Sequence, residues 1–470
     1  MPTVVVIGAG ITGLAAALDL AGDFNVVVLD ADSRIGGKVM TSEFAGLPVD
    51  CAADAFLARV PEGQDLCRRL GLFEKLVSPT TSSAFIWVDE NLRRLPEGLV
   101  LGVPTDAAAL RAANIVSEQS LQAIENDLAR TEWCDRLNGP DPLGADDISV
   151  GELIRGRLND EIHEKLVSPL LSGVNAGNAD QLSLAAGAAQ LATAARQHPS
   201  LITALLAQKE KAPPTNQPVF YGLPTGTETL IQKMAEHIAL AGGEIHTNTT
   251  VRSLSRQANG WIVQSEQNGE RRDYDADFVV LAAPAFVAAD LLDTFVPDVA
   301  AEMARLDYAS VAMVTLAIEK RSLDHPLDGS GFLVAMTSAL PTLTACSWAS
   351  TKWAHLQNDD VAILRVSAGK FGDDHALALT DDELLSALHT DLERTIGLHG
   401  SFRESRITRW RNGLPQFTPG HLGRVEGWRQ QLAVEVPNLF VAGAAYDGLG
   451  LPACLRQGSN AAASLRRQSL

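Results

Sequence analysis

The feature that most constrains this chain lies at its start. A continuous β-branched run, Thr3–Ile7, passes through a tight glycine turn into a segment of helical apolar spacing, Ile11–Leu20. An uninterrupted apolar run of this kind is the mark of a parallel strand buried on both faces. Gly8, Gly10 and Gly13 form G-x-G-x-x-G between strand and helix. Gly8 permits the tight turn, Gly10 lets a pyrophosphate approach the backbone, and Gly13 lets the helix pack closely on the strand. The helix start, with Ala9, Ile11 and Thr12 between the glycines, offers free N–H groups and the positive end of the helix dipole. Asn25–Leu29 reads as a second buried strand that ends at Asp30. A carboxylate at that place accepts from ribose hydroxyls. The motif therefore predicts a βαβ unit that holds a dinucleotide.

Two further stretches decide which dinucleotide. Asp30 is followed by Ala31 and then by Arg34, Gly36 and Gly37. This Arg-x-Gly-Gly resembles the second phosphate-side signature of flavin oxidoreductases of the glutathione-reductase and amine-oxidase type. It is expected to bring backbone and one cation to the diphosphate. Residues 437–443 (PNLFVAG) resemble the late strand and turn with which such proteins hold the flavin. Many of them carry an acidic residue after that glycine, where this chain has Ala444 and Ala445. The expected cofactor is FAD.

Bulk properties narrow the partners. With 57 acidic against 38 basic residues the net charge is −19, which argues against nucleic acid and against electrostatic docking on an anionic membrane. Any anionic substrate must then be met by local cations. No uncharged stretch has the roughly 20 apolar residues of a spanning helix, so no transmembrane segment is expected, while peripheral membrane contact stays open. Cys51, Cys67, Cys134, Cys346 and Cys454 are odd in number and form no CxxC pair; they read as reduced thiols of a cytoplasmic protein. The histidines show no paired ligand spacing, so no metal is expected.

Along the chain, residues 104–206 read as helical, with 110–128 and 150–171 as the clearest stretches and 139–147 as a turn-rich loop. Residues 208–218, with Pro213, Pro214 and Pro218, read as a connector. A helix is expected over 227–240, strands over 244–279, mixed strands and loops over 305–370, a helix over 377–396, a strand at 438–442 and a helix over 454–465.

Longer blocks point to one family. Residues 99–106 (LVLGVPTD), 166–177 (LVSPLLSGVNAG), 414–421 (LPQFTPGH) and 443–458 (GAAYDGLGLPACLRQG) resemble, in order, stretches of the coproporphyrinogen III oxidase and protoporphyrinogen oxidase family. The likeness is strongest to the Gram-positive bacterial enzymes. It implies an α/β fold: an FAD-binding Rossmann-like domain of the glutathione-reductase type, interleaved with a mixed-sheet substrate domain and a helical, membrane-associated-like domain. The expected bounds are 1–55, 222–290 and 405–470 for FAD, 56–95, 203–221 and 291–404 for substrate, and 96–202 for the helical part. It implies a six-electron aromatisation of a porphyrinogen, coproporphyrinogen III first and protoporphyrinogen IX second. Molecular oxygen is the expected electron acceptor and hydrogen peroxide the product. The protein's part is placement, and no catalytic acid or base is named.

Position by position, the resemblance assigns Lys38, Trp410, Gly443, Leu449, Gly450 and Leu451 to the flavin, and the backbone of Val251 to the adenine. Where relatives read G-P-D-S-F this chain has Ala52, Ala53, Asp54, Ala55 and Phe56, so a flavin contact there is expected in altered form. A substrate with four propionates needs cations, and Arg93, Arg94, Arg409 and Arg456 are the candidates. Cys454 is not expected to carry covalent flavin. The alternatives are another enzyme of the superfamily, such as an amine oxidase or carotenoid desaturase, and a non-enzymatic Rab escort-type protein. The LPQFTPGH and LVLGVPTD blocks disfavour the first, and the intact glycines with Asp30 disfavour the second.

Overall fold

The first strand sits at the centre of a parallel five-stranded sheet, in a computed structural model that describes residues 1–133, 137, 139–211, 218–258 and 260–469. Its order is Glu244–His246, Asn25–Leu29, Thr3–Ile7, Phe278–Leu281, Leu439–Val441. Residues far apart in the chain thus form one sheet, in register Val4 to Phe278 on one side and Thr3 to Asn25 on the other. Successive side chains point to opposite faces, and both faces are covered. Val4 and Val6 pack with the helices Ile11–Leu20, Glu228–Leu240 and Leu451–Ser469. Val5 and Ile7 pack under an antiparallel three-stranded sheet, Thr249–Gln257, Gly260–Gln267 and Glu270–Ala276, and the helix His421–Glu435. The apolar run is continuous in sequence because neither face meets water.

A seven-stranded mixed sheet lies beside it, in the order Glu404–Pro415, Tyr308–Glu319, Val361–Ala368, Leu343–Trp348, Gly331–Val334, Phe85–Val88, Asn91–Arg94. Helix Asp381–Ile396 covers one face, started by a Thr380/Glu383 capping box and stopped by Gly397 in the left-handed region. Ile86 and Val88 on the other face join the core of a helical unit drawn from residues 107–205.

The helices of that unit are shorter than their periodicity suggests. The stretch 110–128 divides into Ala107–Ala113 and Glu118–Leu128, because Asn114 turns left-handed (φ 52°) and Ser117 starts the second helix. The stretch 150–171 breaks after Arg157. Asn159 caps the next turn through the Ile162 N–H, and a π-helical turn, His163–Val167, precedes the helix Ser168–Asn175. Cys51, Cys67, Cys346 and Cys454 are buried and unpaired. Cys134 and the middle of the expected connector, residues 212–217, lie outside the described residues.

Candidate flavin site

The three glycines of the first turn differ in what surrounds them. A Cβ on Gly13 would stand 1.9 Å from the Gly8 carbonyl oxygen, and one on Gly8 (φ 106°) would stand 2.7 Å from the Ala282 oxygen. Both positions are closed by protein. A Cβ on Gly10 would meet nothing within 4 Å. Gly10 is also the N-cap of the first helix and supplies no side-chain cap, so the first N–H groups of that helix stay available to an anion.

The Arg-x-Gly-Gly loop folds directly onto this turn. The Gly36 N–H donates to the Ala9 carbonyl at 2.8 Å, and a Cβ on Gly37 would lie 3.4 Å from the Gly10 Cα. Arg34 stands in this loop beside the first turn. Its guanidinium donates to the carbonyls of Ile35, Gly37 and Val39, and so fixes the shape of its own loop. Asp30 accepts from the Ala9 N–H at 2.6 Å and the Asp32 N–H at 2.8 Å, while burial raises its pKa. Each carboxylate oxygen keeps a lone pair for a hydroxyl donor. Ala31 is exposed beside it. The Thr249 N–H donates to the Asp30 carbonyl at 2.7 Å, which brings the strand carrying Val251 alongside.

The C-terminal block closes the cradle from the other side. Cβ atoms on Gly443 (φ 144°) and Gly450 would have no neighbour nearer than 3.9 Å and 4.0 Å respectively. Gln457 holds the turn between them: its side-chain oxygen accepts from the Gly443 and Asp447 N–H groups, and its amide donates to the Gly448 carbonyl. Gln457 lies within the quoted CLRQG stretch, so a reading of polar residues inside that motif could have found it. Leu451 begins the last helix, with Leu449 packed toward the helical unit. That helix crosses the first one closely, because a Cβ on Gly458 would stand 2.3 Å from the Thr12 oxygen.

Lys38 and Trp410 meet at the far end. Lys38 is accessible but closely walled in, and this desolvation lowers its pKa, with the Cys454 thiol opposing. A Cβ on Gly413 would lie 2.9 Å from the Trp410 Cβ and 3.5 Å from the Lys38 Cε. The Trp410 indole N–H donates to the Cys51 carbonyl at 3.3 Å. Trp410 is thereby tied to the segment where this chain departs from G-P-D-S-F.

In that segment the Asp54 side chain is engaged by three donors. It accepts from Lys352 Nζ at 2.9 Å, Arg365 Nη1 at 3.0 Å and Trp353 Nε1 at 3.0 Å. These cations hold the carboxyl below the usual carboxylate range against the opposing effect of burial. Arg365 also donates to the Ala52 carbonyl, and the Thr227 hydroxyl donates to the Ala53 carbonyl at 3.0 Å. The Asp54 side chain therefore acts as a clamp on the backbone of residues 52–55, in which Ala53 is exposed and Ala52, Asp54 and Ala55 are half-buried.

The four nominated arginines do not form a propionate site. Arg93 and Arg94 lie on the edge strand Asn91–Arg94, six strand intervals from the strand of Trp410. At about 4.8 Å per interval that is roughly 29 Å, beyond one tetrapyrrole. Arg94 is in addition paired with Asp328 at 2.6 Å. Arg409 precedes Trp410 on one strand, so it points to the opposite face, where it pairs with Asp381 and donates to the Leu379 carbonyl. Arg456 pairs with Glu62 at 2.9 Å.

Next to the C-terminal turn, His421 is fully buried, stacked on Phe417, with Nε2 donating to the Tyr446 carbonyl at 2.8 Å. Burial brings its pKa down to about 4. Below the unfolded value of about 6.5 the unfolded chain binds a proton that the native site refuses, so stability falls as the pH drops from 6.5 toward 4. The expected loss from this residue is about 3 kcal/mol. Urea denaturation of His421→Gln at pH 7 and pH 4.5 should show a smaller acid-side loss than wild type; equal losses would assign it elsewhere.

The model of the family described as flavin containing amine oxidoreductase matches residues 11–466. The chain belongs to that family, and FAD is its cofactor. Within it the chain groups with the bacterial coproporphyrinogen III oxidases and protoporphyrinogen oxidases. The coproporphyrinogen III oxidase of Bacillus subtilis (strain 168) is 30% identical over 97% of this chain and 96% of its own length. That of Mycobacterium tuberculosis (strain ATCC 25618 / H37Rv) is 33% identical over 98% and 96%. The crystal structure of the "Putative protoporphyrinogen oxidase" from Exiguobacterium sp. 255-15 superposes with a TM-score of 0.85 at 32% identity, covering 99% of each chain. Cyclohexylamine oxidase from Brevibacterium oxydans IH-35A, at 18% identity and a TM-score of 0.70, shares the fold.

Proposed function

We propose that this chain is an FAD-dependent, oxygen-consuming coproporphyrinogen III oxidase of heme biosynthesis, which removes six electrons in three two-electron steps and releases hydrogen peroxide. The observation that carries the proposal is near full-length similarity to enzymes of that name, in a chain whose flavin cradle keeps its open positions at Gly10, Gly443 and Gly450. FAD supplies the two-electron acceptor when bound. The chain's own residues hold and enclose. Backbone N–H groups of residues 10–13 and the Gly36–Gly37 turn meet the diphosphate. Asp30 takes ribose hydroxyls, and the Val251 backbone faces the adenine. Lys38, Trp410 and residues 449–451 border the ring system. The division into FAD, substrate and helical units at the stated bounds is part of this proposal, as is a cytoplasmic setting, supported by the unpaired buried cysteines. Among the described residues no helix is long and apolar enough to cross a membrane.

Protoporphyrinogen IX is the second reading, favoured by a 26% identical protoporphyrinogen oxidase of Bos taurus that covers 98% of both chains. Anaerobic mixing of the yellow protein with each porphyrinogen tests both. Coproporphyrinogen III is expected to bleach the flavin faster. Bleaching by neither sinks the proposal, and faster bleaching by protoporphyrinogen IX exchanges the two readings.

A further inference from the structure

With a net charge of −19 the protein's overall field repels a polyanion, so any carboxylate contact must be local. Three of the four nominated arginines are neutralised by Asp328, Asp381 and Glu62, and Arg93 stands on the far edge of the sheet. A different cation stands on a turn packed against the Trp410 cluster. The strand Val361–Ala368 ends in a turn framed by Gly369 (φ 85°) and Gly372 (φ 80°), with Lys370 and Phe371 between them. The turn is closed by backbone hydrogen bonds exchanged between Lys370 and Asp373, 3.0 Å and 2.9 Å.

This turn is wedged against the flavin end of the molecule. The Phe371 N–H donates to the Ala176 carbonyl at 2.7 Å, at the end of helix Ser168–Asn175. The Phe371 side chain packs in a small cluster with Ala176, Ala309, Val311, Trp410 and Leu414. A Cβ on Gly369 would lie 3.1 Å from the Ser310 carbonyl, and the Ser310 hydroxyl accepts from the Asn412 N–H at 2.9 Å. The strand that leads into this turn lies two strand intervals from the Trp410 strand, about 10 Å, within the breadth of a tetrapyrrole with its propionate arms. Lys370 is exposed, and among the described residues its ammonium forms no ion pair or side-chain hydrogen bond. Of the nearby carboxylates, Asp381 is held by Arg409 and Asp373 accepts from the His375 N–H, while the exposed Asp374 forms no ion pair with Lys370.

We propose that Lys370 is a specificity-determining residue, the cation that receives a propionate of a tetracarboxylate porphyrinogen on an edge where a dicarboxylate porphyrinogen carries only apolar substituents. The assignment rests on the porphyrinogen reading above and names what would make the site prefer the tetra-acid. A charge-assisted contact of this kind acts on binding, so its loss raises KM and leaves kcat near its original value.

The test is steady-state oxidation of coproporphyrinogen III and protoporphyrinogen IX by wild type, Lys370→Gln and Lys370→Arg, with the flavin spectrum and Tm as folding controls. Lys370→Gln is expected to raise KM for coproporphyrinogen III about tenfold and KM for protoporphyrinogen IX less than twofold. Lys370→Arg should restore most of the difference, and added salt should weaken the wild-type preference. Unchanged KM values in Lys370→Gln, or an equal rise for both substrates, overturn the role of Lys370 while the function stands. A wild type that oxidises neither substrate overturns the function and this assignment with it.

Discussion

Gly10→Ala is expected to give a folded but colourless protein, and Gly13→Ala a protein that is both colourless and unstable. The two glycines belong to one motif and are separated by three positions, yet their surroundings oppose each other. Gly10 has an ordinary backbone conformation (φ −68°) and empty space where its Cβ would stand, so alanine costs the apoprotein little. That same space is where the backbone meets the diphosphate, and a methyl there should weaken FAD binding on the order of a hundredfold. At Gly13 the methyl would overlap the Gly8 carbonyl, and the first helix would have to lift from the sheet. A loss of about 3 kcal/mol or more is expected. Flavin absorbance after desalting, with thermal unfolding of the apoproteins, separates the cases. A Gly10→Ala protein that keeps FAD at wild-type affinity would remove the diphosphate from this turn.

Asp54→Ala is the second large effect. The carboxylate faces two cations and an indole N–H, and Arg365 and Lys352 are themselves only 6% and 18% exposed. Among the described residues alanine leaves both cations without an ion-pair partner, a situation that costs about 3 kcal/mol or more. The damage should extend to the cofactor, since Arg365 also orders the Ala52 carbonyl and Trp410 is tied to the Cys51 carbonyl next to it. Asp54→Asn should retain the indole contact and lose less. The folded-state pKa of Asp54 lies below its unfolded value of about 3.9, so its contribution is complete above that pH and fades as the pH falls toward the folded value. This window lies below that of His421, so the two acid-side losses can be separated in pH. Equal denaturation midpoints for Asp54→Ala and wild type would show that the clamp contributes nothing.

These two positions also mark how much could be read from sequence. Gly8, Gly10 and Gly13 announce themselves because their reasons are local: a turn, a helix start and a strand lie within a few residues, and the predicted bounds Thr3–Ile7, Ile11–Leu20 and Asn25–Leu29 are those observed. Asp54 has partners 298 and 299 positions away, which no local pattern encodes. The arginines failed for a related reason. Whether Arg409 faces the flavin depends on which side of its strand Trp410 occupies, and Arg93 is excluded only by the order of strands in the sheet. Charge and residue type are visible in a sequence, while direction and distance across a sheet are not. The helix breaks at Asn114 and Leu158 lay within reach, since Asn114 and Asn159 are residues suited to left-handed turns and to caps.

The central strand has a consequence for how the protein is made. Thr3–Ile7 leaves the ribosome before its neighbour Phe278–Leu281, which follows some 270 residues later, and the helix that closes the cradle beyond residue 450 comes later still. During synthesis an apolar strand with one unpaired edge must wait for its partner, and waiting edges of this kind invite association with other chains. FAD cannot shorten that interval, because the surfaces it bridges coexist only once the chain has been made beyond residue 450. Yield in cells should therefore depend on chaperone supply during elongation, and flavin availability should matter only afterwards.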